Sequence, residues 1–268
     1  MIRTPVVLEP NAVVAVDVVL FTVREAARVE DMWQVLLVQT DDPAFGYKWA
    51  LPGVLARSEE TFDAAARRAL HNKAGLDAHD WYLDQLGTFG DPGRDTRGRV
   101  VSVAHVALVR SDHLSLVPGG GVLRAEWWPV RSVLPEQLAF DHGDILRTGM
   151  DRIRSKLRYS WVAFQLLPEE FTLPELRDIY AGILDPAILR LHTSNFKKAF
   201  SILFASGALV PTGKRSGGGG RVGRPGDLYR FAGPIAGTWE RELPWHAGTT
   251  KDERRTKDEG RRTKDEGR

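Results

Sequence analysis

The sequence predicts two consecutive units, a strand-dominated α/β domain and a helical domain that closes in a β-hairpin. Three observations carry this. Apolar and β-branched runs with strand spacing dominate up to about residue 130. Helical periodicity takes over from about Phe140. The charge also changes sign: residues 1–150 hold 15 Lys+Arg against 20 Asp+Glu, a net of −5, and residues 151–232 hold 13 against 7, a net of +6. The formal net charge of the 268 residues is only +2, an average that hides a basic unit behind an acidic one. The expected division is 1–145, 146–232 and an extension 233–268.

The chain has no cysteine, which excludes a disulfide framework, a thiolate zinc site and a cysteine nucleophile. Nothing near Met1 reads as a signal peptide, and no run approaches the ~20 apolar residues that span a bilayer. The expectation is a soluble cytoplasmic protein with no membrane partner. The last 18 residues carry RRTKDEG twice, at 254–260 and 261–267, and with no apolar side chain in either copy they are expected to be disordered.

Taken in order, Val13 to Val23 and Gln34 to Gln39 read as strands. Between 60 and 73 the period becomes helical, with Phe62, Ala65, Ala66, Ala69 and Leu70 on one face and Gly75 as the stop. Trp81 to Phe89 and Arg99 to Leu108 are strands joined by the polar loop GDPGRDTRGR (90–99), and Glu126 to Val130 is a further short strand. His105, inside VVSVAHVALV, reads as a satisfied core histidine.

In the back half, Asp144 to Leu157 is helical. Thr172 and Glu175 have capping-box spacing and open a helix to about Leu184. Pro186 to Leu191 is a short helix, and Thr193 or Ser194 caps another that runs to about Ala205 and ends at Gly207. That last helix carries Phe196, Phe200, Leu203 and Phe204 as a core stripe and shows Asn195, Lys197, Lys198 and Ser201 on the other side. Such a face suits a DNA major groove, with Asn reading a base edge and Lys on phosphates, although any amphipathic surface helix can look similar. Leu209-Val210 and Leu228 to Phe231 are short strands flanking GKRSGGGGRVGRPG (213–226). Helix, helix, hairpin is the winged-helix order, and Lys214, Arg215, Arg221 and Arg224 would lay a mobile basic wing along DNA.

Residues Trp49 to Leu76, WALPGVLARSEETFDAAARRALHNKAGL, resemble the Nudix box. Anchored on Gly75 and Leu76, the pattern meets Glu60, Arg68 and Leu70 at their expected types, while its first Gly falls on Val54, one residue after Gly53. Three of its glutamates fall on Ala69, Asn72 and Lys73. In an active box those carboxylates share one helix face and bind Mg²⁺, which neutralises the pyrophosphate and activates water. A methyl group, an amide and an ammonium supply no such ligands. The resemblance gives Glu60 and Arg68 a bracing role in the loop. An ordinary amphipathic helix is the bland alternative.

Three guanidiniums of the 90–99 loop, Arg94, Arg97 and Arg99, suit a pyrophosphate through bidentate bonds, and a solvated turn is the competing reading. Phe89, Trp49 and Phe45 are candidate surfaces for stacking an adenine, or else core and rim aromatics. The fold class is therefore a Nudix-like α/β (α+β) sandwich followed by a C-terminal winged helix-turn-helix domain. This combination, together with 89–108, LAFDHGDIL (138–146), 157–180, LHTSNFKK (191–198) and GRPGDLYRF (223–231), resembles the NrtR family, the Nudix-related transcriptional regulators of NAD metabolism.

The resemblance implies a homodimeric repressor of NAD biosynthesis or salvage genes, bound to palindromic double-stranded operator DNA and released by ADP-ribose, with no cofactor or metal. It places the ligand loop on Arg94, Asp95 and Arg97; Arg57, which departs from the usual box with Val54, and the aromatics Trp49 and Phe89 complete the candidate ligand contacts. The DNA-contacting helix falls on Thr193, Ser194, Asn195, Lys197 and Lys198. The alternatives are a Mg²⁺-dependent ADP-ribose or nucleotide-sugar pyrophosphatase with an accessory winged helix, and a protein-interaction module.

Overall fold

The computed structural model describes residues 12–77, 81–110, 115–190, 196–198, 200–216 and 226–233. The tail repeats lie outside these residues, as do Thr193, Ser194, Asn195, Arg221 and Arg224.

The front domain is a seven-stranded mixed sheet held between two helices. Strand β1 (Val13–Val23) is its centre. It runs parallel to β6 (Val100–Leu108), pairing Val13 with Val100 and Phe21 with Leu108. It runs antiparallel to β2 (Trp33–Thr40) at one end and to the short β4 (Gly53–Leu55) at the other. The short β3 (Trp49–Ala50) and β7 (Val122–Pro129) flank β2, and β5 (Tyr82–Phe89) borders β6. Because both faces of β1 are covered, its apolar run is almost continuous. Val16, Val18 and Leu20 pack under α1 (Phe62–Ala74), against Ala65, Ala66, Ala69 and Leu70. Val19, Phe21 and Val23 point the other way, into the cluster that holds Ile145 and Ile153 of α2 (His142–Tyr159).

α1 starts where expected, with Thr61 Oγ1 accepting from Ala64 N, and stops at Gly75, whose φ of 68° suits a residue without Cβ. β7 is longer than the expected 126–130, because its antiparallel register on β2 extends from Pro129 to Val122. α2 also begins earlier than expected. The boundary expected at 145/146 falls inside α2, which packs on the front sheet: a Cβ at Gly149 would lie 3.1 Å from Val19 Cγ1.

The back domain has the expected order. β8 (Phe171–Thr172) leads into α3 (Leu173–Ile183) through the Thr172–Glu175 capping box. A 3₁₀ segment Pro186–Arg190 follows, then helical residues 196–198 and α4 (Ser201–Ala205). β9 (Leu209–Arg215) and β10 (Asp227–Phe231) form the hairpin and complete a β8-β10-β9 sheet. Phe196, Phe200 and Leu203 are buried and Phe204 is half-buried, as the stripe requires.

The two domains share one apolar cluster, from Val19 and Trp33 through Leu157 to Leu176, Tyr180 and Phe200. α3 docks on the segment before β2, so closely that a Cβ at Gly182 would lie 2.8 Å from the Val29 carbonyl oxygen. Arg154 of α2 fastens the same junction, donating to Ile183 O (3.3 Å) and lying over the Trp33 ring. Gly182→Val is therefore expected to destabilise the protein by about 1–3 kcal/mol through overpacking, read as a lower urea midpoint.

Candidate functional site

A cavity of about 460 Å³ opens between the β1–β4 edge, the end of α1, the 90–99 loop and the start of α2. Four cations reach it, Arg68, Lys73, Arg94 and Arg97, together with Asp17, Asp41, Asp42 and Asp95.

The 90–99 loop is wound by its own side chains. Asp91 Oδ1 accepts from Gly93 N (2.8 Å), Asp95 Oδ1 accepts from Arg97 N (2.9 Å), and Arg99 Nη1 closes the loop on Gly90 O (2.6 Å). Arg94 is carried inward and buried. It donates through Nε and Nη2 to both oxygens of Asp141 (2.8 and 2.6 Å), with Asp17 3.6 Å away. Asp141 is the N-cap residue of α2, but its carboxylate makes no capping bond because it is turned to Arg94. Asp17, the one carboxylate of β1, accepts from Ser102 Oγ (2.6 Å). Gly53 lies against it, and a Cβ there would sit 2.1 Å from Asp17 Oδ1. This contact gives a physical reason for the glycine of the LPG sequence.

His142 completes the wall. Its Nδ1 accepts from Leu51 N (3.0 Å), which leaves the proton on Nε2, 3.8 Å from Asp17. Burial pushes its pKa below the ordinary imidazole value despite the nearby carboxylates, so the ring is neutral at pH 7. Arg97 faces outward. It is paired with Asp95 (2.8 Å) and Asp42 (3.3 Å), and its guanidinium lies 5.6 and 5.3 Å from the Phe45 and Phe140 ring centroids. The bonds from Arg97 hold the Asp95 carboxyl below its usual range.

Arg94, Asp95 and Arg97 thus come together on one cavity. Phe45 lines it as well, but the other expected contacts lie elsewhere. Phe89 lines a neighbouring cavity of about 690 Å³, which shares Phe45, Arg94 and Phe140 with the first. Trp49 lines neither cavity, because it packs edge-on to Trp128 (5.2 Å) and under Arg124. Arg57 lines neither; its backbone N–H donates to Glu60 Oε1 (2.7 Å) in the loop before α1. Sequence reasoning missed Asp17, His142, Phe140 and Asp141. For Asp17 a signal existed, a lone charge in an apolar strand. His105 is buried as expected, bonded to Val103 O and 3.3 Å from Asp63.

Glu60 and Arg68 brace the box. Arg68 Nε donates to Glu60 Oε2 (2.9 Å), a second bond joins Nη2 to Oε1, and Nη2 also reaches Leu55 O (2.9 Å). On α1, Ala69 is fully buried, Asn72 is half-buried and Lys73 Nζ donates to Gly120 O (2.9 Å). Among the described residues no group of three His, Cys, Asp or Glu side chains could hold a metal ion.

On the winged-helix surface, Lys197 and Lys198 are exposed, with the Lys197 ammonium 5.2 Å from the Phe204 ring centroid. At the base of the wing, Lys214 pairs with Glu170 (2.8 Å) and Arg215 with Asp227 (3.5 Å). Mutual bonds between Ser216 and Gly226 close the hairpin there. No helix of the described residues is long and apolar enough to cross a membrane.

Residues 12–149 match the NUDIX domain family, and residues 163–231 match the NrtR DNA-binding winged helix domain. The chain is 32% identical over 235 residues to the ADPR responsive transcriptional repressor NtrR of Acinetobacter baylyi, spanning 83% of each chain. It belongs to the NrtR family. Among solved structures of the family, Shewanella oneidensis NrtR superposes with a TM-score of 0.69 at 30% identity, covering 86% of this chain and 99% of that one. The structure of Shewanella NrtR complexed with a 27mer DNA matches equally well. The family pairing of a NUDIX domain with a winged helix agrees with the two-part fold expected from the sequence.

The Glu60–Arg68 brace should show in the pH dependence of stability. Hydrogen bonds from Arg68, aided by the Arg57 backbone N–H, hold the Glu60 carboxyl down to about 2 against an ordinary 4.5. A depressed carboxyl contributes stability above its unfolded value and loses it as pH falls through the folded one. Between pH 4.5 and 2, thermal midpoints of the wild type should therefore fall more steeply than those of Glu60→Gln.

Proposed function

We propose that this chain is an ADP-ribose-responsive repressor of NAD biosynthesis or salvage genes. The back domain binds operator DNA, and ADP-ribose in the front cavity releases it. One observation carries the reading: a Nudix-fold cavity lined with arginines shares a continuous core with a winged helix in a chain of the NrtR family. The Acinetobacter relative is ADPR responsive, and Shewanella NrtR forms a complex with DNA.

In this reading Arg94, Asp95 and Arg97 form the effector wall. Arg97 is the outward member, able to exchange its carboxylate partners for phosphate oxygens. Thr193, Ser194, Asn195, Lys197 and Lys198 enter the major groove, and Lys214, Arg215, Arg221 and Arg224 follow phosphates along the wing. The protein acts in the cytoplasm as a homodimer. Its two recognition helices sit about one DNA turn apart on a palindromic site. The effector is bound without being cleaved, which is supported by the methyl, amide and ammonium at Ala69, Asn72 and Lys73.

Fluorescence anisotropy with NAD-gene promoter DNA tests this directly. Binding is expected without ADP-ribose and release with it; unchanged anisotropy with every such promoter would remove the reading. With about 6–10 phosphate contacts, log affinity should fall with log salt at a slope of roughly −5 to −9. Lys197→Ala and Lys198→Ala should each reduce that slope by about 1. A Mg²⁺-dependent pyrophosphatase would instead release AMP from ADP-ribose, and no AMP is expected.

A further inference from the structure

The cavity's cations are not equivalent. Arg68 is paired with Glu60, Arg94 with Asp141, and Arg97 with Asp95 and Asp42. Lys73 has no carboxylate partner among the described residues, and its ammonium is held only by the Gly120 carbonyl. Among the described residues it is the cavity cation with no carboxylate at ion-pair distance.

The scaffold fixes where that charge sits. Gly119 and Gly120 press their backbone against the Asn72 carbonyl, where added Cβ atoms would lie 3.0 and 3.2 Å from the oxygen. Gly120 and Gly121 have φ of 54° and 77° and form a turn that side chains would strain. The Gly120 carbonyl is thereby fixed beside the last turn of α1 and orients Nζ.

Magnesium does not fit this donor set. A methyl group, an amide and an ammonium occupy the metal-ligand positions of the box, and Glu60 is committed to Arg68. The charge balance points the same way. Three carboxylates with a divalent cation carry one net negative charge, whereas the three residues present carry one net positive charge with no ion at all.

We propose that the Lys73 ammonium is the resident cation of this cavity, taking the charge-neutralising role of the metal, so that a nucleoside diphosphate binds through its pyrophosphate without a divalent ion. Lys73 is a binding residue in this assignment. The proposal rests on the effector reading above, in naming a ligand with a pyrophosphate, and adds its recognition.

The test is calorimetric titration of the full chain with ADP-ribose and, separately, inorganic pyrophosphate, each in EDTA and in MgCl₂. Wild-type affinity is expected to be the same in both buffers. Lys73→Met should lose about tenfold or more for both ligands, as befits a lost charge-assisted bond, and Lys73→Arg should retain most of the affinity. The thermal midpoint of unliganded Lys73→Met should match the wild type, separating a lost contact from a lost fold. Wild-type affinity that requires Mg²⁺, or undiminished binding by Lys73→Met, would overturn the assignment while leaving ADP-ribose as effector. Pyrophosphate binding that depends on Lys73, with no ADP-ribose binding, would support the cation role and remove the effector reading. Absence of binding by both ligands to the wild type would overturn both.

Discussion

The buried bond between Arg94 and Asp141 is the contact on which the rest of the site depends. The Arg94 side chain is 3% exposed and reaches Asp141 through two nitrogens. A buried pair of this kind contributes little relative to an apolar replacement, yet losing one partner costs about 3–5 kcal/mol because the other charge is stranded. The bond draws the 90–99 loop, β1 and the start of α2 to one point. It explains why Asp141 does not cap its own helix, and Asp17, 3.6 Å from the same guanidinium, is the charge of β1 against which Gly53 must be small. Arg94 is thus part of the wall that shapes the cavity, while Arg97 stands at its outward side and Lys73 lies at the end of α1.

α2 gives that wall a longer reach. Its first residues form part of the cavity, its middle packs on β1 through Gly149, and its last turn leads into the 3₁₀ segment Trp161–Leu166 within the back domain's core. Arg152 ties it to Leu86 O (2.9 Å), and Lys156 to Asp84 (3.0 Å). Cavity and winged helix are therefore joined by one helix and one apolar cluster. An effector can shift such an assembly only by binding its two conformations unequally.

Legibility in the sequence followed range and length. β1, α1 and the Thr172–Glu175 cap were readable because period, capping chemistry and Gly75 act within a few residues. The Glu60–Arg68 brace was readable through the box pattern. The two-residue β3 and β8 were not, since segments so short show no period and exist only by pairing with β2 and β10. His142 on Leu51 and Asp141 on Arg94 join residues 91 and 47 apart in the chain, and no local pattern encodes them. Trp49 read either as a stacking surface or as a core or rim aromatic, and packing against Trp128 takes the second course. Lys73 was legible as a lost metal ligand, whereas its freedom from a carboxylate partner among the described residues emerged only from the folded cavity.

In the proposed function a single chain couples an effector in its front cavity to DNA on its back domain. Thermodynamic linkage makes that coupling reciprocal. The most direct measurement is ADP-ribose affinity, titrated calorimetrically with and without saturating operator DNA. DNA is expected to weaken ADP-ribose binding by the same factor by which ADP-ribose weakens DNA binding. Equal ADP-ribose affinity in the two titrations would contradict it.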